Sequence, residues 1–224
     1  MKMKKIAACA ALMAVTGIAT PAFAGVTGNV GAYSDYIFRG ITQTGGGASL
    51  QGGLDYSHAS GLYAGTWIAN LNGGTASYET DFYGGYAGKV GDLGFDLGVI
   101  EYYYRGASAL NTTEFYAGGS YAGLSAKIFY SDDLQSTNDS GFYLTGNYPI
   151  ALSKSVTLTP AVGYSFGDAY DAGGAYGKEI FDYGVTVSKA LSDGFTFSLG
   201  LTGTDRDGGN DETLVLGLKK NFDL

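Results

Sequence analysis

The chain has 224 residues, with 21 acidic against 13 basic side chains for a formal charge of −8, and it is rich in glycine (38) and tyrosine (19). An acidic chain without basic clusters is unsuited to binding nucleic acid. Its single histidine and single cysteine cannot supply the usual ligands of a zinc site.

Met1 to Ala24 reads as a secretory signal peptide. Lys2, Lys4 and Lys5 form a basic start, Ile6 to Ala19 is an apolar run, and Ala22-Phe23-Ala24 supplies a small-x-small cleavage pattern. The run is short for a spanning helix, and no twin arginine is present, so the general secretory route is expected. The mature chain would begin at Gly25 and keep 200 of the 224 residues. Three of the 13 basic residues leave with the signal, so 10 face 21 acids, a charge of −11. Cys9 leaves as well, which excludes disulfides from the mature chain. No later segment approaches the length of a spanning helix.

From Gly25 onward, short segments of alternating hydrophobicity follow one another. Strands are predicted at 26–39, 49–57, 61–70, 78–89, 93–104, 113–121, 123–131, 141–149, 155–166, 179–189, 194–203 and 212–222. The connectors switch between long (40–48, 71–77, 105–112, 132–140, 167–178, 204–211) and short (58–60, 90–92, 122, 150–154, 190–193). A soluble sandwich has no reason to sort its loops in this way. A barrel crossing a membrane does, because one set of loops faces outward and the other faces the periplasm. The expected fold is all-β: a transmembrane antiparallel up-and-down β-barrel of twelve strands, formed by 25–224 as a single domain.

Residues two apart share a face of a strand. In the first strand Val26, Val30, Ala32, Tyr36 and Phe38 oppose Asn29, Asp35 and Arg39. In the fourth, Tyr78, Thr80, Phe82 and Tyr86 oppose Glu79, Asp81 and Lys89, and in the last Leu214, Leu216, Leu218 and Phe222 share one face. In a membrane barrel the apolar face points outward. Threading the strands up and down places Tyr36, Phe38, Tyr78, Tyr103, Phe115, Tyr130, Phe142, Tyr164 and Phe181 near the long-loop end. Tyr56, Tyr86, Phe95, Tyr121, Tyr148, Phe195 and Phe222 fall near the short-turn end. Two such belts suit the two lipid–water interfaces. Parity leaves two points open: which way Trp67 faces in 61–70, and why Glu101 falls on an outward position, for which a β-bulge or the interfacial edge are the alternatives.

Candidate catalytic chemistry is sparse. His58 lies in a short turn without a recognisable nucleophile motif, and a Ser-His-acid site needs that partner. The loop Asp205 to Glu212 offers oxygen ligands but fails the EF-hand spacing at Gly209. Gly84 to Lys89 lacks the Walker spacing. No enzyme activity, cofactor or metal is expected. What remains is the inward charge. The predicted pore-lining set is Asp35, Arg39, Asp55, Glu79, Asp81, Asp96, Glu114, Lys127 and Asp182, with Lys89 and Lys219 on the same parity. Acidic rings favour cations. The expected function is passive diffusion of small hydrophilic solutes, neutral or cationic, with outer-membrane lipid as the other partner. The alternative is a non-conducting structural or adhesive barrel with a filled interior. No connector is long enough to serve as the infolded loop of trimeric porins, so a monomer is expected.

The segment Tyr33-Ser34-Asp35-Tyr36-Ile37-Phe38-Arg39-Gly40-Ile41-Thr42-Gln43-Thr44 resembles the TorF-family porins. Gln51 to Tyr56 and Gly61 to Trp67 continue the likeness. The resemblance implies a Gram-negative outer-membrane location and a channel role. Such barrels often end in a terminal Phe, whereas here Phe222 is followed by Asp223-Leu224.

Overall fold

The computed structural model describes residues 24–72, 74, 76–206 and 212–224. The signal-peptide reading and most of the loop Asp205 to Glu212 lie outside the described residues. The chain forms a closed antiparallel barrel of twelve strands. In chain order these are β1 (Gly25–Tyr33), β2 (Ser49–Ser57), β3 (Leu62–Asn70), β4 (Tyr78–Val90), β5 (Leu93–Tyr104), β6 (Thr112–Tyr121) and β7 (Leu124–Ser131). They continue as β8 (Gly141–Asn147, extended by Ile150–Ala151), β9 (Val156–Phe166), β10 (Ile180–Ala190), β11 (Phe195–Thr204) and β12 (Thr213–Asp223). Each strand pairs with its sequence neighbour, and β1 pairs with β12 from Thr27↔Asp223 to Tyr33↔Gly217, so the sheet has no free edge. The break in β8 falls at Tyr148-Pro149, where proline has no N–H for the ladder. The short turns are tight. At Ala122-Gly123 both residues have positive φ (50° and 91°), the primed geometry that matches the twist of the flanking strands.

Parity sorts the side chains as the sequence pattern implies. Val30, Leu54, Phe82, Leu97, Phe115, Leu199, Leu214 and Leu216 are exposed on the outer face. Aromatics gather at its two ends, in pairs such as Tyr130–Phe142 (4.8 Å) at one and Tyr86–Phe95 (5.8 Å) at the other. Glu101 stands on the outer face three residues from the long-loop end of β5. The ladders Phe82↔Glu101 and Glu101↔Thr113 are unbroken, so no bulge explains it. Its carboxylate accepts a hydrogen bond from Thr113 Oγ1 at the edge of the apolar band.

Inside, large rings lie over glycines of neighbouring strands. A Cβ on Gly65 would sit 2.5 Å from the Tyr83 ring, and one on Gly217 would sit 2.5 Å from the Tyr33 ring. Tyr63, Gly85, Gly98 and Tyr116 form one row across β3 to β6. With no side chains between them, the two tyrosine hydroxyls meet at 2.5 Å above the glycines.

Candidate functional site: a hairpin folded into the lumen

The first connector does not stay outside. β1 ends at Tyr33, and Ile37–Phe38 pairs with Ile41–Thr42 in a separate two-stranded hairpin. This corrects two expectations, a first strand running to residue 39 and a chain without an infolded loop. The cause is local. Arg39 and Gly40 both adopt positive φ (49° and 77°), a two-residue primed turn that reverses the chain after Phe38. Thr42 and Thr44 hydroxyls both donate to Asp35 Oδ1 at 2.6 Å, and the Tyr36 amide donates to Thr44 Oγ1, which pins the hairpin base.

The hairpin spans the long-loop half of the lumen and touches wall on all sides. Tyr36 and Phe38, expected in the outer aromatic belt, face inward instead. The Tyr36 ring meets Trp67 of β3 edge-on at 5.3 Å, and its hydroxyl donates to Glu79 Oε1 of β4 at 3.1 Å. Trp67 therefore faces the lumen. Phe38 packs on Tyr102 of β5 at 5.7 Å, and Ile37 packs with Tyr33 and Val215 of β12. Gly40 lies against Asp182 of β10 and Thr204 of β11. At the hairpin tip, Arg39 Nη2 donates to Glu114 Oε2 of β6 at 2.6 Å. Its guanidinium carbon sits 4.3 Å from the Tyr143 ring centre of β8, 4.7 Å from Phe38 and 5.5 Å from Phe129 of β7. Burial disfavours the Arg39 charge, and the Glu114 carboxylate beside it favours it. Tyr102 OH donates to the same Glu114 oxygen at 3.1 Å, and Tyr143 OH donates to Asp182 at 3.2 Å. From above, Leu134, Ala169 and Tyr170 of the long loops pack together over the β10 end, with Tyr170 and Tyr176 stacked at 4.8 Å.

A second charged layer lies nearer the short turns. Lys127 Nζ reaches Asp96 Oδ2 at 2.7 Å, across the position of Gly118, which pairs with both residues. Tyr63 OH donates to Asp96 Oδ1 at 2.5 Å, and Tyr83 OH donates to Asp55 Oδ1 at 2.5 Å. The predicted set thus divides into Asp35, Arg39, Glu79, Asp81, Glu114 and Asp182 around the hairpin and Asp55, Asp96 and Lys127 beneath it. Parity placed the wall residues, but Asp35 and Arg39 belong to the inserted hairpin. The tyrosines that partner these charges were missed as site residues, although Tyr102 and Tyr104 share the parity of Asp96. His58 lies in its exposed turn, with Nδ1 2.8 Å from Ser60 Oγ.

Comparison with known proteins places the chain. A family described as "bacterial protein of unknown function (Gcw_chp)" matches residues 19–218. The chain belongs to this family. That match carries no TorF name and does not confirm that resemblance. No curated protein matches the sequence. Among solved structures, the fold is similar to the KdgM porin (TM-score 0.61, 14% identity, covering 88% of this chain and 99% of that one). It is also similar to the NanC porin (0.60, 13%, 89% and 100%). A third likeness is to the COG4313 outer membrane channel from Pseudomonas putida F1 (0.50, 13%, 93% and 98%). At these identities the likeness is one of fold, that of outer-membrane porin barrels.

Proposed function

We propose that this Gcw_chp protein is a porin-like diffusion channel of a Gram-negative outer membrane, exported with a cleaved signal peptide and acting as a monomer. The carrying observation is a closed barrel with an apolar outer face and a charged lumen narrowed by its own first connector. The long loops then face outward and the short turns face the periplasm. The predicted inward set holds seven carboxylates against Arg39, Lys89, Lys127 and Lys219, and Arg39 and Lys127 are each already paired with one of the acids. The remainder biases passage toward cationic or neutral hydrophilic solutes. Planar-bilayer recording of the refolded protein tests this. Conductance with a cation-selective reversal potential in a salt gradient supports it, and anion preference overturns the selectivity.

A second reading has its own observation. The Arg39–Glu114 side chains are only 10% and 3% exposed, so the hairpin closes the lumen around them. If no conductance appears, a non-conducting structural barrel replaces the channel reading.

A further inference from the structure

The wall around the hairpin tip is built to hold one particular chemical group. Guanidinium is planar and weakly hydrated, stacks on aromatic faces and hydrogen-bonds carboxylates. The wall supplies the Tyr143 and Phe129 rings as faces and the Glu114 carboxylate as acceptor, each contributed by a different strand from β6 to β8. Tyr102 OH fixes the acceptor oxygen from the side, so the carboxylate is held in place apart from the hairpin. Asp182 is fully buried beside Gly40, and its Oδ2 has no hydrogen-bond partner among the described residues. Arg39 is the current occupant, and it arrives on a two-residue turn that carries no other wall-directed polar side chain.

We propose that this wall pocket is a binding site for guanidinium-bearing organic cations, which Arg39 fills as a tethered ligand, so that such a solute competes with the hairpin for the same place. This names a solute class and a regulator for the proposed channel, and it rests on that reading only for access from the lumen. A simple ammonium lacks the planar face and fits the site poorly, which separates the proposal from a general preference for positive charge.

The test uses the full-length mature barrel carrying Arg39→Ala, refolded and followed by its thermal midpoint, with methylguanidinium chloride and methylammonium chloride as probes. Methylguanidinium at ten times its dissociation constant should raise the midpoint by about 3 °C or more. Methylammonium should raise it far less, and adding Glu114→Gln should abolish the difference. If the Ala variant folds only when methylguanidinium is present, that rescue supports the site as well. Arg39→Lys is the second variant, since it keeps the charge and should show the same discrimination between salts. Equal effects of the two salts, or a methylguanidinium effect that survives Glu114→Gln, overturn the proposal. So does a failure of methylguanidinium to rescue or stabilise either variant. Because the readout is stability, a barrel that discriminates the salts yet passes no current would remove the channel reading and leave the site standing.

Discussion

Substituting Gly40 with Ala should release the hairpin without dismantling the barrel. Gly40 has φ +77°, and an added Cβ would lie 2.7 Å from Asp182 Cβ, 3.0 Å from Thr204 Cβ and 3.2 Å from the Gly203 carbonyl oxygen. Overpacking typically costs about 1–3 kcal/mol and is relieved when the tip leaves the wall, whereas the left-handed cost of about 1–2 kcal/mol stays with the turn. Even the smaller overpacking figure shifts the docked-to-undocked ratio about 5-fold. Single-channel recording should show longer open dwells. Trp67, the only tryptophan, should change its emission as Tyr36 moves away from it. Gly45→Ala is the control, because Gly45 shares the positive φ (60°) but a new Cβ there has nothing within 4 Å among the described residues. A folded Gly40→Ala barrel with wild-type dwell times and wild-type Trp67 emission, or one indistinguishable from Gly45→Ala, would refute the reasoning.

Asp96→Asn leaves Lys127 buried without its countercharge and should cost about 3–5 kcal/mol, read as a lower thermal midpoint; a midpoint within about 1 °C of wild type would show the pair to be solvated. Leu218→Arg places a charge mid-strand on the outer face. It should cost about 2–4 kcal/mol of folding into lipid vesicles if that face meets hydrocarbon, whereas unchanged folding would argue against a membrane location. Gly98→Val intrudes on the Tyr116 ring and on the Gly84 carbonyl, so the Tyr63–Tyr116 contact should break and the folding yield should fall; normal yield would deny the glycine its spacing role. Asp81→Asn and Glu114→Gln should move the channel in opposite directions. Asp81 lies in hydrogen-bond contact with Glu79, so the first substitution places an amide that can donate to this acceptor of Tyr36 and lengthens closed dwells. The second removes the latch on Arg39 and shortens them. Shifts of equal sign in single-channel dwell times would count against a docked hairpin as the gate.

The barrel was legible because a single period governs every wall strand. Once Leu214, Leu216 and Leu218 point outward, Val215, Gly217 and Lys219 must point inward, and strand register does the rest. Glycine was less legible. On a strand it permits barrel curvature and close packing beside large tyrosines, but which ring each one seats, Tyr83 on Gly65 and Tyr33 on Gly217, appears only when the register is known. The hairpin was hidden for a sharper reason. Residues 34–39 continue the apolar–polar alternation of β1, so the period alone extends the strand through Phe38. The contrary signal was Arg39-Gly40 between Phe38 and Ile41, a two-residue turn flanked by strand formers. Because Arg39 is an unusual residue at a positive-φ position, the turn did not stand out.

The hairpin's hold on the lumen is a balance of opposed contributions. On one side stand Tyr36 on Trp67, Phe38 on Tyr102, Ile37 against Tyr33 and Val215, and the Arg39–Glu114 pair. On the other side, Asp35 Oδ2, Glu79 Oε2, Asp81 Oδ1 and Asp182 Oδ2 are buried without a hydrogen bond among the described residues, each a liability of about 1–3 kcal/mol. An undocked hairpin would expose these carboxylates to the lumen and restore their hydration, while returning the aromatic surfaces to water. The barrel wall keeps its ladder hydrogen bonds, since these do not involve the hairpin. Hairpin docking can therefore be weak while barrel folding is strong, and in the proposed channel this separation would let one chain combine a rigid wall with a movable constriction. The acids proposed to bias the lumen toward cations would then be the same groups that keep its closure from becoming permanent.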